Sequence, residues 1–238
     1  MRALIVAAAV ACAALGATAA RAAPAPVPIL EYHVIGDPPP GAPVPGLYTS
    51  VADFRAQMAW LASHGYHAVT LDRVYRQWTG RGTLPSKPVA LTFDDGYPQD
   101  YTTVLPILRS HRWVGNLNLQ VGNLVPKHVR ELIAAGWEVD AHTFTHPDLT
   151  RVSASQLRTE VAGSRRWIQR VFAVPVLFFC YPAGRYDDAV VAEVRRAGFV
   201  GAETERPGSA SPANGMFTLD RYEMLRGEGA AGLAARLG

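Results

Sequence analysis

Short apolar runs alternate with helix-patterned segments from residue 29 to residue 224, and that rhythm leaves few architectures open. Strand-like runs fall at 29–35, 67–71, 88–93, 116–121, 137–141, 176–181, 199–202 and 217–224. Ser50 stands as an N-cap before Phe54, Met58 and Leu61 at helical spacing, and further helices are expected over 99–110, 127–135, 154–172 and 187–197. Gly65, Gly136 and Gly198 stand where three of the helices should stop. Pro106 should disturb the one that contains it. Such strand–helix units predict an α/β fold with a parallel sheet covered by helices. Seven or eight units suit a closed or nearly closed (β/α) barrel, with an open doubly wound sheet as the alternative. No repeat, low-complexity stretch or linker divides residues 24–238, which read as one domain.

The first 23 residues read differently. Met1-Arg2 leads into an apolar run from Ala3 to Leu15, followed by small residues up to Ala22 and Ala23. This is the pattern of a secretory signal peptide cut after Ala22 or Ala23, and the run is shorter than the roughly 18–20 residues of a membrane span. An uncleaved anchor or a lipid-modified Cys12 are the alternatives. The expected location is secreted, periplasmic or cell-envelope associated, with no membrane-crossing segment left after cleavage. Cys12 would leave with the peptide, so Cys180 would have no partner for an internal disulfide. The net charge of +3 comes from 23 basic against 20 acidic residues, and losing Arg2 and Arg21 lowers it to +1. The remaining arginines are scattered, with no run above two, which argues against a nucleic-acid partner.

Two motifs carry chemistry. The strand 88–93 runs into Asp94-Asp95-Gly96. Adjacent carboxylates at the end of an apolar strand are costly unless something pairs with them. They can face one site only where the strand bends out, which Gly96 permits. His142-Thr143-Phe144-Thr145-His146 follows the strand 137–141. Imidazoles four residues apart at a strand end can converge on a metal. One carboxylate and two imidazoles make a three-ligand set that leaves positions open for water and substrate. That set suits Zn²⁺, while oxygen-richer sites suit Mg²⁺ or Ca²⁺ and a facial triad suits Fe(II). The second carboxylate, Asp94, is free to act as a base on water, which favours hydrolysis.

Thr92-Phe93-Asp94-Asp95-Gly96 followed by His142-Thr143-x-x-His146 resembles the polysaccharide deacetylases, the NodB-homology domain of carbohydrate esterase family 4. The resemblance extends from Tyr32-His33 to about Met224. It implies a distorted (β/α) barrel with about seven parallel strands. Asp94 would be the catalytic base, and Asp95, His142 and His146 would hold a divalent metal, Zn²⁺ first. The family's Arg-x-Pro-aromatic-Gly is here Cys180-Tyr181-Pro182-Ala183-Gly184. Ala183 can still supply the backbone N–H of an oxyanion hole, with Tyr181 beside it, but the guanidinium that would orient Asp94 is missing. Arg221 on the last strand is a candidate replacement. No His follows His146, so the acid expected on a late motif is absent. His33 on the first strand resembles the arrangement of a poly-N-acetylglucosamine deacetylase subgroup and is the candidate acid. The implied activity is removal of N-acetyl groups from an N-acetylglucosamine-containing polysaccharide by a monomer. An acetylxylan-type esterase, another amidase and a non-catalytic carbohydrate-binding relative are the alternatives.

Overall fold

The computed structural model describes residues 24–123 and 125–238. The signal peptide expected at residues 1–23, with Cys12, lies outside the described residues. Seven parallel strands close into a barrel: β1 Val27–Tyr32, β2 Pro88–Asp95, β3 Asn116–Leu119, β4 Glu138–Ala141, β5 Phe178–Cys180, β6 Gly201–Pro207 and β7 Leu219–Glu223. Each pairs with the next in chain order, and β7 returns to β1. The alternative of an open sheet is thereby excluded. His67–Val69 adds a parallel strand along the first half of β2, and Ser209–Ala210 adds an antiparallel one at the start of β1.

Alternation along the strands divides the residues into two sets. Leu30, Tyr32, Leu91, Phe93, Leu117, Val139 and Phe179 point outward into a large apolar cluster under the helices. The inward set begins with an apolar plug containing Ile29, Ala90, Phe178 and Leu219. Above the plug the barrel interior is polar: Glu31, Thr92, Asp94, Asn116, Asn118, Asp140, Glu203 and Arg221 are all buried. A lumen this polar needs internal partners for each group, and it lies directly below the strand ends.

Several boundaries differ from the sequence reading. The first strand ends at Tyr32, and Val34–Ile35 forms a separate two-stranded ribbon with Tyr48–Thr49, leaving His33 at the break. A helix at Leu71–Trp78 occupies what was read as the end of a strand and a loop. Its cap is Thr70, which accepts the Arg73 N–H, and it buries Leu71, Val74 and Trp78 at helical spacing, but it is only eight residues long and begins on the residue that ends the expected strand. Ala230–Leu237 is a further helix missing from the sequence reading. The expected helix 99–110 is a π-helical turn, Asp100–Val104, joined to Leu105–Ser110, with Pro106 in the first turn of the second part. The expected helix 154–172 is continuous but contains a π-helical turn at Thr159–Gly163.

Candidate active site

Asp94 faces inward from β2, and its carboxylate is fully surrounded by donors. Arg221 Nη1 and Nη2 donate to its two oxygens at 3.0 and 2.9 Å, and Asn118 Nδ2 donates at 2.8 Å. The Cys180 thiol donates to Oδ2 at 3.3 Å. Burial alone would raise Asp94, but the charge and paired hydrogen bonds of Arg221 more than offset it and hold the carboxyl well below the usual range. Arg221 reaches this position because the β6–β7 register shifts between Leu219 and Arg221, a bulge-type irregularity that re-aims a side chain. Its Nε donates to Thr204 O at 2.9 Å and Nη1 to Thr92 Oγ1 at 3.1 Å. Glu31 lies 3.2 Å and Glu203 3.8 Å from the same guanidinium. Burial pushes Glu31 well above its ordinary value and Glu203 up to about 8, against the pull of Arg221. Arg221 therefore pairs first with Asp94, and Glu31 and Glu203 beside it hold their protons more tightly than free carboxyls do.

Asp95 turns where Asp94 does not. Its backbone is left-handed, φ 73°, as is that of Gly96, φ 83°. The bend thus begins one residue earlier than expected, at an Asp, a residue type that tolerates this region better than most. It swings Asp95 from the outward face to the strand end, where Oδ1 lies 3.6 Å from His142 Nε2 and 3.9 Å from His146 Nε2. Ligand atoms of all three lie within 4.8 Å of one another. Donors about 2.1 Å from a tetrahedral metal stand about 3.4 Å apart, so the set fits one ion with small adjustment. His142 is buried and its Nδ1 hydrogen-bonds Cys180 O at 2.9 Å, which directs the lone pair of Nε2 toward Asp95 and His146. His146 is partly exposed, on the solvent side of the cluster.

The other expected residues divide. His33 is buried, with a ring nitrogen within 4.8 Å of both the Asp94 and Glu31 carboxylates. Burial pushes its pKa down, against the pull of Asp94 and Asp95. Ala183 is exposed and left-handed, φ 50°, in the turn after β5. Tyr181 does not front the site, contrary to expectation. Its side chain is buried with its hydroxyl donating to Phe217 O at 3.1 Å, and its backbone N–H and C=O are bonded to Glu203 O and Gly184 N. Cys180 is buried as expected of a small hydrophobe, yet its sulfur also receives Arg221 Nη2 at 3.2 Å. The sequence reading missed Glu31, Asn118, Glu160 and Glu203.

A family model described as polysaccharide deacetylase matches residues 81–202. The chain belongs to the polysaccharide deacetylase family. Members of this family are hydrolytic enzymes. A relative from Bacillus subtilis (strain 168), YxkH, is 28% identical over 210 residues, covering 86% of this chain and 73% of that protein. The poly-beta-1,6-N-acetyl-D-glucosamine N-deacetylase of Escherichia coli (strain K12) is 46% identical over 59 residues, 25% of this chain and 9% of that one. The solved structure of the Streptococcus pyogenes deacetylase PplD in complex with acetate superposes with a TM-score of 0.84 at 28% identity, covering 90% of this chain and 99% of that one. Among its described residues the family member has no helix long and apolar enough to cross a membrane.

Proposed function

We propose that this chain is a metal-dependent N-deacetylase that hydrolyses the acetamido groups of an N-acetylglucosamine-containing polysaccharide and releases acetate. The observation that carries the reading is the junction of two halves of one site. Asp95, His142 and His146 converge as ligands, and beside them Asp94 is held ionised by Arg221. The donor set of two imidazoles and one carboxylate suits Zn²⁺. When bound, such an ion polarises the acetyl carbonyl and acidifies water. Asp94 accepts the proton of the attacking water, held in place by Arg221 and Asn118, at the oxygen whose other donor is the Cys180 thiol, the longest of its four bonds. The Ala183 N–H donates to the oxygen that becomes negative. His33 delivers a proton to the departing nitrogen. Burial lowers the pKa of His33, so that proton comes from Asp94, whose carboxylate lies within 4.8 Å of the ring.

The name of the E. coli relative supports a β-linked N-acetylglucosamine polymer as the substrate class. The test is acetate release from a panel of N-acetylated glycans by the Zn²⁺-loaded protein. Asp94→Asn should lower the rate roughly 10²–10⁴-fold. Full activity in a metal-loaded Asp94→Asn protein would sink the scheme. His33→Ala should slow amide substrates more than acetyl esters, whose leaving oxygen needs less protonation; equal losses would count against His33 as the acid.

A further inference from the structure

The loop that carries both imidazoles is not self-supporting. Thr143 and His146 are left-handed, φ 68° and 56°, without being glycine. Such a conformation is strained for a residue with a Cβ and persists only where its surroundings over-determine it. On one side the loop's carbonyls are held from the segment after β3: Val121 N–H donates to Thr143 O at 3.0 Å and Gly122 N–H to Phe144 O at 2.9 Å. On the other side its donors converge on a single carboxyl group. Phe144 N–H and Thr145 N–H donate to Glu160 Oε2 at 2.7 and 3.1 Å, and Thr145 Oγ1 donates to Glu160 Oε1 at 2.7 Å. Glu160 is buried, in the π-helical turn Thr159–Gly163. Such turns recur at functional sites. Ser164 Oγ binds the carbonyls of Glu160 and Val161 there, and the Phe144 ring lies where a Cβ on Gly163 would be 3.1 Å away.

We infer that Glu160 is a positioning residue for the metal ligands: it clamps the two residues before His146 and so sets the separation of the His142 and His146 nitrogens. It touches neither substrate nor reacting atoms. The role rests on the metal-dependent reading above. A residue that orients a ligand acts on metal affinity, typically about 10–100-fold. In Glu160→Gln the oxygen facing the Thr145 hydroxyl becomes an amide that can meet it only by donating, so that bond reverses and the two N–H groups lose a carboxylate acceptor, without a change of size. Glu160→Asp keeps both oxygens but shortens the reach.

The experiment is Zn²⁺ affinity by competition with a chromophoric chelator, together with the visible spectrum of the Co²⁺-loaded protein. The set is wild type, Glu160→Gln, Glu160→Asp, His146→Ala and Leu233→Ala. Leu233 is buried in the C-terminal helix against Val51–Ser63, so its variant controls for lost stability alone. The expected result is roughly 10–100-fold weaker Zn²⁺ binding and an altered Co²⁺ spectrum in Glu160→Gln, partial recovery in Glu160→Asp, and wild-type affinity in Leu233→Ala. Wild-type affinity in Glu160→Gln overturns the positioning role and leaves the metal site standing. An equal loss in Leu233→Ala also overturns it, by reducing the effect to stability. A wild type that binds Zn²⁺ no better than His146→Ala overturns the metal site and the positioning role together.

Discussion

Arg221 is the residue on which the interior depends. One fully buried cation faces three carboxyls, and only Asp94 receives a two-pronged hydrogen bond. Lysine keeps the charge but not the planar fork. Arg221→Lys should therefore lower kcat/KM by at least about tenfold and move the acid limb of its pH profile upward, because a less well paired Asp94 is easier to protonate in a buried site. An unchanged acid limb would show that Arg221 does not set the ionisation of Asp94. Glu203 makes a separate prediction about stability. Its folded value is raised to about 8 from an ordinary 4.5, so the folded chain holds a proton that the unfolded chain releases. That contribution is complete below 4.5 and is lost as pH rises through about 8. Glu203→Gln, which mimics the protonated form, should flatten the fall of the urea midpoint between these limits. Parallel curves for variant and wild type would contradict it.

At the scale of elements, the strand ends matter more than the strands. The turn after β2 places Asp94 and Asp95 on one side, and Gly96 has little room for anything larger: a Cβ there would be 2.8 Å from Leu119 Cδ1, at φ 83°. Gly96→Ala should cost about 1–3 kcal/mol in denaturant unfolding and weaken metal binding along with it. A variant as stable as wild type would mean that the turn relaxes freely. Deeper in the barrel, Asp140 ties β4 to β5, its Oδ1 accepting the N–H groups of Leu177 and Phe178 at 2.9 and 2.7 Å. Burial raises it to about 7 despite those bonds. Asp140→Ala strands two buried donors and should destabilise by roughly 1–3 kcal/mol each, whereas Asp140→Asn keeps an acceptor and should cost less. Thermal melts of the two variants compare them directly.

For the whole molecule, the proposed three-ligand site on the closed barrel implies linkage between metal and fold. Binding to the folded chain alone stabilises it by about 2.7 kcal/mol at a hundredfold excess over Kd. Chelation should lower the melting temperature and abolish acetate release, and added Zn²⁺ should restore both; a melting temperature indifferent to chelator and metal would argue against the site. Much of this architecture was legible in the chain. Caps such as Ser50, stops such as Gly136 and Gly198, and the alternation of apolar runs announce the barrel because they act over a few residues. Asp94 beside Asp95, and His142 near His146, are legible for the same reason. The helix Leu71–Trp78 was not, since eight residues give only one repeat of its apolar spacing and Leu71 also continues the preceding apolar run. Nor were Glu31, Asn118, Glu160 and Glu203, and Tyr181 was read as facing the site although it packs into the core. The sequence by itself determined which local groups could act as ligands and base. Only the tertiary structure decided what holds them, because Arg221 lies 127 positions from Asp94 and meets it only when β7 closes on β1 and β1 on β2. In a closed barrel an inward side chain takes its partners from across the lumen, and no short-range pattern encodes that distance.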